Sequence, residues 1–133
     1  MFGSGCGVPP LDLQPAPTAL PRLQTTALAT LTNVPAGLAF LALGWSRTSF
    51  GAVPLPRSLQ GFGLPGCDQL QSAEVVFAPV VFTTATSATF SLPIPNDPGL
   101  VDLRVFLQGW ALAPGANPGQ VVVSNGVDWS IGR

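Results

Sequence analysis

The chemistry open to this chain of 133 residues is limited by its ionisable side chains. Its charged residues are five Arg, five Asp and one Glu, and it contains no Lys, His or Tyr. Without His the chain lacks the commonest general base and the commonest metal ligand. Without His or Lys, a Ser or Cys nucleophile has no side chain to activate it. The composition therefore argues against acyl-transfer catalysis.

Carboxylates are the remaining option for acid–base catalysis, since a pair of them can hydrolyse glycosides. The acidic residues are Asp12, Asp68, Glu74, Asp97, Asp102 and Asp128. Their spacing singles out no pair, so we expect caps, turns and solvated positions. Asn96 and Asp97 could offer oxygens to calcium, but no Asp-x-Asp-x-Asp-Gly loop surrounds them. We predict no enzyme, no metal and no cofactor, with a carboxylate-dependent hydrolase as a remote alternative.

Aromatic residues provide a positive lead in the predicted strand 101–113. Strict alternation places one set of its side chains on a single face: Asp102, Arg104, Phe106, Gln108 and Trp110. Two rings in a row among polar groups form a candidate contact face for a sugar or a protein. The alternative is that Gly109 marks a bulge that turns Trp110 into the core. Trp129 alternates with apolar neighbours and is predicted to be core, and Trp45 is predicted to lie in the core or at its margin.

The elements that position these residues are predicted to be short strands. Fifteen Gly and fifteen Pro separate runs rich in Val, Leu, Phe and Thr, and no stretch has a helical period. Segments 24–33 and 38–46 are expected to form a hairpin, and Asn125-Gly126 is expected to turn a second one. Residues 88–94 alternate cleanly, and Asp97-Pro98 is typical of a capped single turn. We predict an antiparallel β-sandwich of seven to nine short strands with no substantial helix.

The balance of charge and hydropathy excludes some partners. Apolar residues make up 47% of the chain, charged residues make up 8%, and the net charge is −1. No basic patch is present for nucleic acid. The longest apolar stretch, residues 34–45, contains Pro and Gly and is shorter than the roughly 20 residues of a membrane span. The surface must be built from small polar and apolar groups, which favours a contact function.

The two cysteines, Cys6 and Cys67, lie beside glycine in loop-like surroundings. No further sulfur or histidine is present to complete a zinc site. A disulfide is the economical interpretation, and two buried thiols are the alternative. A disulfide would indicate a location outside the cytoplasm.

An ordered series of short motifs resembles a family of modules in secreted proteins of environmental bacteria, where they often lie at the C-terminal end of larger chains. The motifs are Gly5-Cys6-Gly7-Val8-Pro9, Ser49-Phe50-Gly51, Pro54-Leu55-Pro56, Leu64-Pro65-Gly66-Cys67, residues 90–97, residues 114–118, Val123-Ser124-Asn125-Gly126 and Ile131-Gly132. The resemblance implies an all-β extracellular accessory domain with paired cysteines. The resemblance implies no particular activity and no particular binding residue.

These observations favour one domain over residues 1–133, as a module or mature form of a longer secreted precursor. The N-terminus lacks the basic and apolar regions of a signal peptide. The first hypothesis is a non-catalytic accessory or adhesion module, extracellular or at the cell surface, that attaches to a polysaccharide, another surface or a protein partner. The alternative is a structural subunit that associates with copies of itself, because the many strands offer edges for pairing.

Overall fold

The computed structural model is all-β, and it describes residues 3, 5–7, 10–15, 22–34, 39–50, 52–64, 66–72, 75–77, 81–84, 87–115 and 118–132. The strands within these residues are β1 (Asp12–Pro15), β2 (Thr26–Thr32), β3 (Ala39–Gly44), β4 (Ser49–Phe50), β5 (Val53–Pro54), β6 (Arg57–Ser58), β7 (Asp68–Gln69), β8 (Val75–Phe77), β9 (Val81–Thr84), β10 (Ser87–Pro93), β11 (Arg104–Leu112) and β12 (Val121–Ser130). Gln60–Phe62 and Pro98–Leu100 form single turns of 3₁₀ helix. No helix in this described part of the chain is long and apolar enough to cross a membrane.

The strands assemble into two four-stranded sheets and two small ribbons. The first sheet has the order β1-β2-β10-β9, and the second has the order β12-β11-β3-β8. The ribbons pair β4 with β5 and β6 with β7. Every one of these strand pairings is antiparallel. The predicted all-β antiparallel sandwich is confirmed, with eight strands in its two sheets.

The hydrophobic core lies between the two sheets because alternating apolar rows on both face inward. In β2, Ala27 and Leu31 are buried while their neighbours are half-buried or exposed. In β10, Ala88 and Phe90 are buried and Thr89 is not. The alternation predicted for residues 88–94 is therefore confirmed. A period of two is what a sheet with one covered face requires.

Gly109 marks a close approach between the sheets. A Cβ added there would lie 2.5 Å from Cδ1 of Leu31 in β2. Leu31 is fully buried, so a larger residue at 109 would overfill the core. Gly109 thus lies on the inner face of β11, which places Gln108 and Trp110 on the outer face.

The predicted hairpin between segments 24–33 and 38–46 is wrong. Both segments form strands, but β2 lies in the first sheet and β3 lies in the second, between β11 and β8. The two strands lie in different sheets because their patterns of buried residues differ. One face of β2 is buried, whereas Leu41, Ala42, Leu43 and Gly44 of β3 are all buried. A strand apolar on both faces is favoured at a central position with both faces covered.

The predicted hairpin turn at Asn125-Gly126 is also wrong, because β12 continues through both residues with a bulge opposite β11. Asn125 instead connects β12, at the edge of the second sheet, to β1, at the edge of the first sheet. Its Oδ1 accepts from the backbone N–H of Leu13 at 2.8 Å, and its Nδ2 donates to the carbonyl of Leu13 at 3.0 Å. The amide side chain satisfies both polar groups of a buried residue in β1, as a neighbouring strand would.

We expect Asn125→Ala to lower the free energy of unfolding by about 2 kcal/mol, because the Leu13 N–H and carbonyl lose their partner while buried. Chemical denaturation measures the change. Asn96→Ala is the matched control, since Asn96 is exposed, and it should change stability by less than about 0.5 kcal/mol. Equal stability of the two variants would contradict the bridging role.

Two other predicted strands differ in detail from their predictions, and the predicted capped turn is confirmed. The strand expected over 101–113 begins only at Arg104, because Asp102 has a left-handed φ of 68° and belongs to a turn. The sequence from Glu74 to Thr83 also predicts a strand, with a bulge or a sheet edge indicated by Pro79. The structure divides this segment between β8 and β9, which lie in different sheets; Pro79 is outside the described residues. The capped turn is confirmed, since Oδ1 of Asp97 accepts from the N–H of Gly99 at the start of Pro98–Leu100.

Candidate functional site

The two cysteines form the predicted disulfide. Cys6 and Cys67 are bonded, with their Cα atoms 5.3 Å apart. The N–H of Cys6 donates to the carbonyl of Val123, so the bridge starts beside β12 at the edge of the second sheet. It ends at Cys67, immediately before β7. The disulfide therefore ties the N-terminal part of the chain and β12 to the region that follows Cys67.

That region lies over the outer face of the second sheet. A Cβ on Gly44 of β3 would lie 2.5 Å from Oε1 of Gln71 and 2.6 Å from Oγ of Ser72. The same Ser72 hydroxyl oxygen accepts from the backbone N–H groups of Trp45 and Ser46. We call residues 68–72 the covering segment, and four of its residues, 69–72, are buried.

Gln108 attaches the covering segment to the sheet. Its side chain is fully buried: Oε1 accepts from the N–H of Leu70 at 3.1 Å, and Nε2 donates to the carbonyls of Asp68 and Ser124 at 2.8 and 2.9 Å. Every polar group of this amide has a backbone partner. Gln108 is therefore a structural link and not a surface group.

The burial of Phe106 and Gln108 corrects the prediction of a contact face on β11. Phe106 is only 6% exposed and Gln108 is not exposed, so neither has the surface that a partner would need. Asp102 is exposed, but it lies in the turn before β11, where its N–H donates to the carbonyl of Ile131. Alternation correctly placed Phe106 and Gln108 on the face opposite the core. It could not show that another part of the chain covers that face.

Among the residues of the predicted contact face, Arg104 lies on β11 and is exposed to solvent. Its guanidinium donates to Oδ2 of Asp128 at 2.6 Å and lies 5.6 Å from the centre of the Phe106 ring. Partial burial by itself would raise the pKa of Asp128, but positive charge and the hydrogen bond from Arg104 outweigh it, so this pKa lies below its ordinary value. Arg104 and Asp128 thus form a cross-strand ion pair.

Trp110 lies on the outer face and is half-buried. The register with β12 does shift between Gln108 and Trp110, as a bulge requires, but the extra residue is on β12. Pairing with β3 continues without a break, and it sets Trp110 opposite Phe40. The bulge near Gly109 is therefore confirmed, whereas the turning of Trp110 towards the inner face is not. Phe40 is 39% exposed, so this end of the outer face presents one aromatic ring to solvent.

An apolar pocket of about 210 Å³ opens at one end of the sandwich. It is lined by Leu43, Trp45, Leu92, Pro93, Ile94, Pro95, Leu100, Leu103, Val105, Trp129 and Ile131. These residues come from the ends of β3, β10 and β12, the start of β11 and the turn before it, so both sheets contribute. The described residues of the pocket wall expose no polar atom to it. We call this pocket and its rim the end surface.

Trp45 is more exposed than a position in the core or at its margin predicts. It lies beyond the end of β3 with 52% of its surface exposed, and Leu103 on the same pocket is 36% exposed. Trp129 is 5% exposed, which confirms its prediction as core, and it forms part of the pocket wall. The position of Trp45 just after Gly44, at the last residue of an apolar run, is the signal that could have indicated its exposure.

The carboxylates described by the structure have local roles or lie in solvent. Asp97 caps a 3₁₀ turn, Asp128 pairs with Arg104, and Oδ2 of Asp12 accepts from Nε2 of Gln14 at 3.0 Å. Asp102 and Asp68 are exposed, and Glu74 is outside the described residues. Among the residues that are described, no three acidic or cysteine side chains form a group that could hold a metal ion.

Comparison with known protein families, curated proteins and solved structures finds no significant match. The resemblance of the motif series to modules of secreted bacterial proteins therefore stays a prediction. Function has to be inferred from the burial, contacts and exposed surface of this chain's own residues.

Proposed function

We propose that this chain is a non-catalytic extracellular module that attaches its parent protein to an insoluble polysaccharide or a similar surface through the end surface. The observation that carries the proposal is the exposure of Trp45 and Leu103 around a pocket whose described lining residues are all apolar or Trp. Clustered exposed apolar groups mark interaction sites in proteins. Tryptophan in particular supplies a large contact area with little loss of side-chain entropy, and it is enriched among the residues that dominate binding energy.

The low charge of the chain supports a contact function. Charged residues make up only 8% of the sequence. Two of these charges, Arg104 on β11 and Asp128 on β12, are already paired with each other. Approach to an uncharged polymer would therefore require little desolvation of charge, which is the main cost of burying ionised groups.

The disulfide supports a location outside the cytoplasm. Disulfides persist in secreted and surface proteins and are rare where thiols are kept reduced. The Cys6–Cys67 bond links the N-terminal part of the chain to the covering segment, so its role is to stabilise the fold. An extracellular accessory module with such a crosslink is also what the motif resemblance implies.

The test is retention on insoluble cellulose, chitin and bacterial peptidoglycan, measured for the wild type and Trp45→Ala. We expect Trp45→Ala to weaken retention about tenfold, because removal of a central aromatic anchor typically costs this much or more. Phe40→Ala is the matched control, since Phe40 is an exposed aromatic of β3 far along the strand from Trp45. It should be retained like the wild type.

Three outcomes would overturn the attachment proposal. The first is an absence of wild-type retention on all three materials, and the second is equal retention of the wild type and Trp45→Ala. The third concerns self-association, which sedimentation at high protein concentration measures. If the wild type forms oligomers and Trp45→Ala does not, the end surface joins copies of this chain, and the structural-subunit alternative takes the place of attachment.

A further inference from the structure

We propose that the pocket of the end surface binds a small, wholly non-polar molecule from solution, of the size of an alkylbenzene. The pocket volume is about 210 Å³. An engineered apolar cavity of about 150 Å³ in another protein stays dry and accepts benzene, so this pocket can hold a hydrocarbon of about eight carbon atoms. The proposal does not rest on attachment to a surface, because the ligand binds the isolated protein.

The chemistry of the wall determines the class of ligand. The eleven described residues that line it are apolar or Trp, and none of them exposes a polar atom to the pocket. Nε1 of Trp129 has no hydrogen-bond partner among the described residues, but it is buried away from solvent, so it is not exposed to a group that enters the pocket. A ligand hydroxyl would lose its water without gaining a partner, which weakens binding about tenfold. The pocket should therefore select against polar substituents.

The pocket is accessible without rearrangement of the sheets. Trp45 and Leu103 line it and are also exposed, so it reaches the surface between them. The opposite walls belong to buried parts of the core, including Ile94, Val105 and Trp129. These walls limit the depth of the pocket, and the acyl chain of a membrane lipid is too long to be buried in it. We therefore assign the pocket to a free small molecule and not to a lipid.

The chain contains three tryptophans, which gives a direct assay. Titration of ¹⁵N-labelled protein with ethylbenzene, followed at the indole N–H signals, should shift Trp45 and Trp129, which line the pocket. Trp110 lies on the outer face of the second sheet and is the internal control. 2-Phenylethanol has nearly the same shape with one added hydroxyl, and we expect it to bind about tenfold more weakly.

Leu92→Trp should abolish the ethylbenzene shifts, because Leu92 lines the pocket and a larger side chain fills it. The matched control is Leu28→Trp in the same sheet. Leu28 is paired with Ser91, so it lies on the opposite face from Leu92, and both leucines are half-buried. Leu28→Trp should bind ethylbenzene like the wild type.

Three results would overturn this proposal. One is the absence of selective shifts at Trp45 and Trp129 in the wild type, which needs no variant to fold. Another is equal affinity for ethylbenzene and 2-phenylethanol. The third is binding to phosphatidylcholine vesicles that Leu92→Trp abolishes, which would assign the pocket to a lipid chain. Retention on polysaccharide is measured separately, so either proposal can fail while the other holds.

Discussion

Replacement of Gln108 by leucine is expected to lower the free energy of unfolding by about 4 kcal/mol, although its side chain forms no part of the exposed surface. Gln108 is completely buried, and it bonds Leu70, Asp68 and Ser124 through their backbones. Leucine has a similar volume but leaves one N–H and two carbonyls without this partner. Each unsatisfied buried group costs about 1–3 kcal/mol. The covering segment also loses its attachment to β11.

Urea denaturation measures the effect, with two further variants. Gln14→Leu is the matched control, because Gln14 is exposed on β1, and we expect a change below about 0.5 kcal/mol. Gln108→Glu keeps the shape of the side chain but directs carboxylate oxygens at the carbonyls of Asp68 and Ser124. At neutral pH it should be at least as unstable as Gln108→Leu. A stability of Gln108→Leu within 1 kcal/mol of the wild type would rule out the linking role, as a rough limit.

Loss of the disulfide is the second large effect, and we expect Cys6→Ala/Cys67→Ala to be less stable by about 4 kcal/mol. The cysteines are 61 residues apart in sequence. A crosslink over such a distance removes much of the conformational freedom of the unfolded chain, which is the source of this estimate in the chain-entropy model. Cys67 is also 1% exposed, so the alanine leaves unfilled space near the covering segment.

Denaturation of the variant and of the wild type, each with and without reductant, tests this expectation. Reductant should destabilise the wild type and leave the variant unchanged. Hydrogen exchange adds a local measurement. The N–H of Leu59, which donates to the carbonyl of Cys67, and the N–H of Leu70 should lose more protection than those of β2. Equal midpoints for the oxidised wild type and the variant would refute a stabilising role for the bond.

Part of the fold was predictable because it depends on neighbours in sequence. The alternation of residues 88–94 predicted the inward face of β10, and Asp97-Pro98 predicted a capped turn. Both are local properties, since one covered face imposes a period of two and a cap needs only the next few residues. The disulfide was predictable for another reason: two cysteines without other soft ligands have few alternatives.

Pairing was less predictable because it depends on competition between distant segments. Segments 24–33 and 38–46 have the form of a hairpin, yet they lie in different sheets. Asn125-Gly126 is the strongest local signal for a turn. The Asn125 side chain nevertheless forms hydrogen bonds with the backbone of Leu13, and β12 continues through both residues. In both cases a long-range contact outweighs a local preference worth a few kcal/mol at most.

The candidate site shows the same division. The sequence by itself determined the composition that favours contact over catalysis, the strand character of β11 and the side of that strand on which Phe106 and Gln108 lie. Only the tertiary structure decided that the covering segment buries these two residues and that Trp45 stays exposed beside an apolar pocket. Alternation reports which way a side chain points relative to its strand. Exposure depends on what packs over it, and here that is a segment some forty residues away, held by Gln108 and anchored by the disulfide.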